Sequence, residues 1–251
     1  MKLFFADEHA HESLIQIAKE NLSFILVILL VTAIVILLAN LCEQYVLKKT
    51  GQKSQGWNAK KIAGIGVFSA IGGVLTMIEF PLPFVPGFYM LDFSEVSGMI
   101  AAFLLGPVAG VLVEFLKTLI HVLLHGTHTA FVGDFAMFAM GSVYVLPAAL
   151  FYLVKKSRKR ALLGLLMSAL ALVVFGAFFN GFYLIPTFAK LYGMDLDAII
   201  SMGTAITPLI KNMPTFIAFA TVPFNLIKGI AVGAAVFLIY KPLSNLYRKL
   251  G

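Results

Sequence analysis

Charge is what this sequence has least of: Asp, Glu, Lys and Arg make up only 12% of its 251 residues, about half the share usual in a soluble domain. With 60% hydrophobic residues and a mean hydropathy of +0.95, the chain is an integral membrane protein. A soluble enzyme, a disordered chain and a nucleic-acid module are excluded. Its single cysteine, Cys42, leaves no intrachain disulfide to form. The dipeptide Gly-Lys never occurs, so the G-x-x-x-x-G-K-[ST] loop is missing and nucleotide binding through it is excluded. No run of ~10-residue alternating strands marks a membrane barrel, and no Ser/His/Asp or Cys/His arrangement supports nucleophilic catalysis.

What is present is a series of apolar runs long enough to cross a bilayer, which takes ~20 residues. The first, Asn21 to Cys42, has 22 uncharged residues. It exceeds the apolar core of a cleaved signal and reads as a retained spanning helix. Further uncharged runs cover 62–78, 96–113, 118–133, 135–154, 161–189 and 212–240, the last broken only by Lys228.

Basic residues fix the orientation. Lys48, Lys49, Lys53, Lys60 and Lys61 form one cluster, Lys155, Lys156, Arg158, Lys159 and Arg160 a second, and Lys241, Arg248 and Lys249 a third. The positive-inside rule places all three in the cytoplasm, so an even number of crossings must separate neighbours. Between Lys61 and Lys155 that requires the stretch 95–125 to cross twice, turning at Gly106-Pro107. Its first arm, Ser94 to Leu105, is then only ~18 Å long. Parity puts the acidic N-terminus (Asp7, Glu8, Glu12, Glu20) outside with the segments 80–92, 125–129 and 181–213, and the C-terminus inside. Three units are expected: 1–47, an extracellular segment plus an extra helix; 48–61, a basic cytoplasmic linker; and 62–251, a six-helix body.

Ionisable groups within the spans are costly and mark partners or cavities. Glu114, Lys117 and His121 share one helix face. They suit an internal ion pair or a functional site. Lys228 has no acid within a helical turn, which favours a ligand-facing role, and Asn225 points the same way one turn earlier. Asn180 falls in the outer third of its helix, and Glu79 opens the Pro-rich segment at the outer rim. His121, His125 and His128 raise the alternative of a membrane-embedded metal-dependent enzyme, although no HExxH pattern accompanies them and no metal ligands are assigned. Ala63, Gly66, Ala70 and Gly73 form a stripe of small residues on which another helix could pack, inside the bundle or from a partner.

The stretches EFPLPFVPGFYMLDFSEV (79–96), GPVAGVLVEFLKTLIH (106–121), VGDFAMFAMG (132–141), FFNGFYLIP (178–186) and PFNLIKGI (223–230) together resemble the substrate-capture (S) components of energy-coupling factor (ECF) vitamin transporters, in their riboflavin-specific branch. The resemblance implies an all-α six-helix S-component bundle, here preceded by one extra transmembrane helix. It implies a multi-pass protein of the cell membrane that binds riboflavin near its outer face and docks onto a membrane scaffold subunit carrying two ATPases. It implies no enzymatic activity, no catalytic cofactor and no nucleic-acid partner. Carried over by motif, Asn180 and Lys228 are the first candidate ligand contacts, with Glu79 and Asn225 next. Phe84, Phe88, Tyr89, Phe179 and Tyr183 are the aromatic surface for the flat flavin. Relatives commonly carry an amide where Met137 stands, so a polar ligand contact in the helix 132–154 is either lost or replaced by Asp134. The stripe Ala63, Gly66, Ala70 and Gly73 resembles the surface that meets the scaffold. Riboflavin phosphate (FMN) or another vitamin remains an alternative ligand, an added phosphate being met by Lys117, Lys190 or Lys211.

Overall fold

The computed structural model describes residues 14–53 and 56–249; the acidic residues Asp7, Glu8 and Glu12 lie outside them. A short helix α1 (Leu14–Glu20) leads into α2 (Leu22–Thr50), longer than the apolar run alone predicts. The body follows with α3 (Ala59–Leu75), a loop carrying the two-residue strands β1 (Phe80–Pro81) and β2 (Met90–Leu91), and the paired arms α4 (Glu95–Leu105) and α5 (Pro107–His125). Next come α6 (Val132–Val154) and α7 (Arg158–Phe179), which continues through a π turn at Asn180–Leu184 into α8 (Ile185–Leu191). The surface helix α9 (Leu196–Thr204) precedes α10 (Met213–Phe216), and a second π turn, Ile217–Thr221, joins it to α11 (Val222–Lys249).

Local chemistry explains the breaks. Gly106 has φ of 105°, a conformation that favours glycine, and Pro107 opens α5 at a position where its missing N–H costs nothing. The side chains of Asn58, Ser157 and Asn212 accept hydrogen bonds from backbone N–H groups at the starts of α3, α7 and α10. Each π turn ends two residues before a proline, Pro186 or Pro223. The widened turn moves aside the carbonyl with which the ring would collide. Both therefore allow a proline in a spanning helix without breaking it.

Five segments are long and apolar enough to cross a membrane: α2, α5, α6, Arg158–Leu191 and Met213–Leu246. Helix α3, with 17 residues, and α4, with 11, complete the body. At ~16 Å by helical rise, α4 reaches only about halfway through the hydrocarbon, as the short first arm requires. The basic clusters gather at one end. There Lys61 pairs with Glu43 at 3.3 Å, and Glu43 accepts from the Val108 amide at the start of α5. Lys156, Arg158 and Lys241 line a common crevice at that end, beneath the stacked rings of Phe103 and Tyr152 and the edge-on ring of Tyr240.

Helix α2 packs on α5 and α6 through Ala39, against Val108, Val111 and Phe138. Leu22, Leu26, Leu30 and Leu37 on the same helix stay exposed. The outer face of α3 is also uncovered. Ala63, Gly66 and Ala70 are exposed, and a Cβ added to Gly66 would meet nothing. Gly73 differs from the rest of the stripe: it is buried against Ile120 of α5.

Candidate ligand site

Opposite the basic end, the β1–β2 loop folds over the bundle and closes a cavity of about 230 Å³ between α4, α6, α7 and α11. Tyr89 anchors the loop. Its hydroxyl donates to Asn180 Oδ1 at 3.0 Å and meets Thr221 Oγ1 at 2.7 Å. One residue is thereby tied to both π turns, whose altered hydrogen bonding turns Asn180 and Thr221 toward the loop. Asn180 in turn donates to the Gly176 carbonyl. Phe88 and Phe224 pack against the Tyr89 ring at 4.8 and 5.0 Å.

The cavity wall divides by chemistry. Phe88, Tyr89, Phe188 and Phe224, with Met137 and Met140 of α6, form an aromatic and thioether lining that suits a flat conjugated ligand. Glu79, Asp92, Glu95, Asn180, Asn225 and Lys228 supply the polar part. Beyond Phe88, Gly133 and Phe188 lies a second, apolar recess of about 220 Å³, bounded by α8 and α9.

Lys228 does not stand alone, contrary to what its own helix suggests. Its Nζ lies 2.9 Å from Asp92 Oδ2 and 3.1 Å from Glu95 Oε1. Behind them Lys117, fully buried, pairs with Glu114 at 2.7 Å, approaches Glu95 at 3.7 Å and donates to Ser94 Oγ at 2.8 Å. Asp92 Oδ1 accepts from the Ser94 amide at the head of α4. Three acids and two lysines thus join the loop, α4, α5 and α11. Burial of such charges is tolerated only because each has partners. Gly98 of α4 and Gly141 of α6 make room for the Glu114 carboxylate, since a Cβ at either position would collide with it.

Of the residues expected from sequence, Glu79, Asn180, Asn225 and Lys228 converge on the cavity wall together with Phe88 and Tyr89. Five others, Phe179 among them, lie elsewhere. Lys117 is enclosed by its ion pairs. Asp134 accepts from Thr127 in the turn before α6 and is not part of the cavity lining, whereas Met137 is. Tyr183 packs with Phe135 and Phe179 outside the cavity lining, and Phe84 is exposed on the loop. Asp92 and Glu95 were not anticipated, although an intramembrane lysine implies a buried acid and both lie in the loop motif. Glu79 sits at the rim, where burial and the Asp92 carboxylate push its pKa above the ordinary 4.5, with His125 and Lys228 opposing. His121 contacts Thr76 Oγ1 at 3.1 Å and stacks on His125.

A bundle of spanning helices around a cavity, partly covered by a loop pinned to two helix irregularities, defines a membrane-embedded binding protein. Residues 60–240 match the family described as ECF transporter, substrate-specific component, and the chain belongs to that family, which is one of binding components and not enzymes. It is 34% identical over 191 residues to the riboflavin transporter RibU of Staphylococcus aureus, covering 76% of this chain and 94% of that one. It is 28% identical over 182 residues to the riboflavin transporter FmnP of Bacillus subtilis, covering 72% and 90%. A solved S component of a bacterial ECF transporter superposes with a TM-score of 0.57 at 34% identity, over 74% of this chain and 96% of that structure. The match begins at α3, so α1 and α2 lie outside it.

Proposed function

We propose that the protein captures riboflavin at the outer face of the cell membrane and delivers it for ATP-driven uptake through an ECF scaffold and its two ATPases. The observation that carries this reading is the division of the cavity wall into an aromatic and methionine lining and a patch bearing Asn180, Asn225 and Lys228. It is supported by the relatives named as riboflavin transporters. The tricycle fits between Phe88, Tyr89, Phe224 and Met137. The two amides and Lys228 serve its polar edges, and Glu79 closes the rim. Lys117 and Asp134 act from behind, holding α4 and the turn before α6.

In this reading the chain consists of an N-terminal helix, a basic linker and a six-helix binding unit. The N-terminus and the cavity mouth face outward, and the basic clusters face the cytoplasm. The exposed Ala63, Gly66 and Ala70 receive a scaffold helix, while Gly73 belongs to the internal packing. The test is identification by mass spectrometry of the small molecule extracted from protein purified out of riboflavin-fed cells, paired with uptake by the protein reconstituted alone. Riboflavin in the extract and no accumulation without the ATPases are expected. A flavin-free extract from a folded protein that still fails to bind added riboflavin would refute the reading.

A further inference from the structure

We propose that the crevice at the basic end of the bundle, between the α6–α7 turn and α11, binds the phosphate headgroup of an anionic phospholipid. It is a second site, remote from the ligand cavity and independent of the flavin reading. The crevice has a volume of about 140 Å³ and is lined by Lys156, Arg158 and Lys241 together with the hydroxyl-bearing Ser157, Tyr240 and Ser244, and no acid among the described residues borders it. The imbalance is already present in the sequence. After Asp134 the only acids are Asp195 and Asp197, and both belong to the start of α9, beside the apolar recess next to the ligand cavity. Lys61, at the same end as the crevice, has Glu43 at 3.3 Å. Arg158 and Lys241 have no carboxylate partner among the described residues.

Basic residues at one end of a membrane protein are ordinarily explained by orientation alone. The floor of this crevice asks for more. Tyr240 is only 4% exposed, and its ring is held by Phe103, Tyr152 and Phe237. Its hydroxyl oxygen is nevertheless accessible and makes no hydrogen bond among the described residues, whereas the hydroxyl of a buried tyrosine normally finds a partner. It therefore offers a donor to a crevice ringed by cations. Ser157 Oγ accepts from the Arg160 amide at the head of α7 and keeps its own proton to donate. The surface leading away from the crevice favours a lipid over a free anion. Arg158, Leu162 and Leu166 are exposed and four residues apart, so they form one column along α7, with the charge at the crevice and the leucines running into the bilayer. Leu238, three residues before Lys241 on α11, is 74% exposed. A phosphate held here has apolar helix surface beside it for acyl chains, and basic pockets between spanning helices suit anionic headgroups for this reason.

The test uses the full chain in detergent micelles, titrated with phosphatidylglycerol or with phosphatidylcholine, and counts lipids held per chain by native mass spectrometry. One phosphatidylglycerol retained in preference to phosphatidylcholine is expected. Arg158→Gln combined with Lys241→Gln should weaken that retention about thirtyfold, near fivefold for each cation removed. Both side chains are exposed, so folding is not at stake. Tyr240→Phe keeps the ring packing and the charge and should weaken it about tenfold, the worth of one hydrogen bond to a charged group. Lys48→Gln combined with Lys53→Gln removes the same charge from exposed positions outside the crevice and should change retention by about twofold at most. Equal retention of the two lipids, or equal losses in the crevice and control pairs, would overturn the inference. Displacement of the lipid by millimolar inorganic phosphate would overturn it as well, by marking a site for a free anion.

Discussion

Replacing Lys228 by methionine removes a charge from the middle of a spanning helix, and viewed from that helix alone it should ease membrane insertion. The structure reverses this expectation. Lys228 neutralises Asp92 at 2.9 Å and Glu95 at 3.1 Å, and its own side chain is only 14% exposed. Taking one partner out of a buried ion pair typically costs ~3 to 5 kcal/mol, because the remaining charge stays desolvated. Here two carboxylates lose a partner, although Asp92 keeps the Ser94 amide and Glu95 keeps Lys117 at 3.7 Å. A loss near the lower end, about 3 kcal/mol, is expected. Flavin affinity should fall as well, by about tenfold to a hundredfold for one charge-assisted hydrogen bond. Thermal unfolding of purified protein and fluorescence titration read the two effects separately. Adding Asp92→Asn to Lys228→Met removes one stranded charge and should restore much of the stability but none of the affinity. A Lys228→Met protein as stable as wild type would show that the pairs hold nothing together. Restored affinity in the double variant would show that Lys228 does not touch the ligand.

Gly66→Leu should leave flavin affinity unchanged and abolish uptake in cells, with less scaffold co-purifying, whereas Gly73→Leu should damage the fold, since Ile120 already fills that space. Gly141→Ala should lower thermal stability by ~1 to 3 kcal/mol, because its methyl collides with the Glu114 carboxylate. Glu79 has a pKa raised above 4.5 in the folded protein by burial and by Asp92. The fold therefore favours its protonated form, and its contribution is fully present below 4.5 and lost as pH rises through the raised value. Melting temperatures of Glu79→Gln and wild type should converge in acid, and the variant should gain as pH approaches neutrality; a pH-independent difference would contradict this.

The parts of the fold legible in the sequence are those written locally. Gly106-Pro107 marks the turn between the short arms, and the three basic clusters meet at one end of the bundle, as charge parity requires. The partners of Lys228 are not local. Asp92 is 136 residues away, and no helical spacing reveals it. The small-residue stripe illustrates a finer limit. At 3.6 residues per turn, Gly73 lies only ~20° round the helix from Gly66, so spacing alone does not separate the glycine that α5 covers from the one it leaves open. Asp134 shows a third. Its motif position suggests a ligand contact, but Thr127 in the preceding turn captures its carboxylate at 2.7 Å. The π turns were also hidden: each precedes a proline, but Pro147 sits inside α6 with no such turn, so a proline in an apolar run does not reveal one. They matter because they direct Asn180 and Thr221 to Tyr89 and so hold the loop over the cavity.

The most direct test is a titration of the purified, flavin-free chain with riboflavin, followed by quenching of flavin fluorescence, on wild type and on Asn225→Ala with Lys228→Met. Quenching that saturates at one riboflavin per chain and weakens at least tenfold in the double variant is the predicted result. Unsaturable quenching by wild-type protein, or saturable binding unaffected by removing both side chains, would contradict the placement of riboflavin in this cavity.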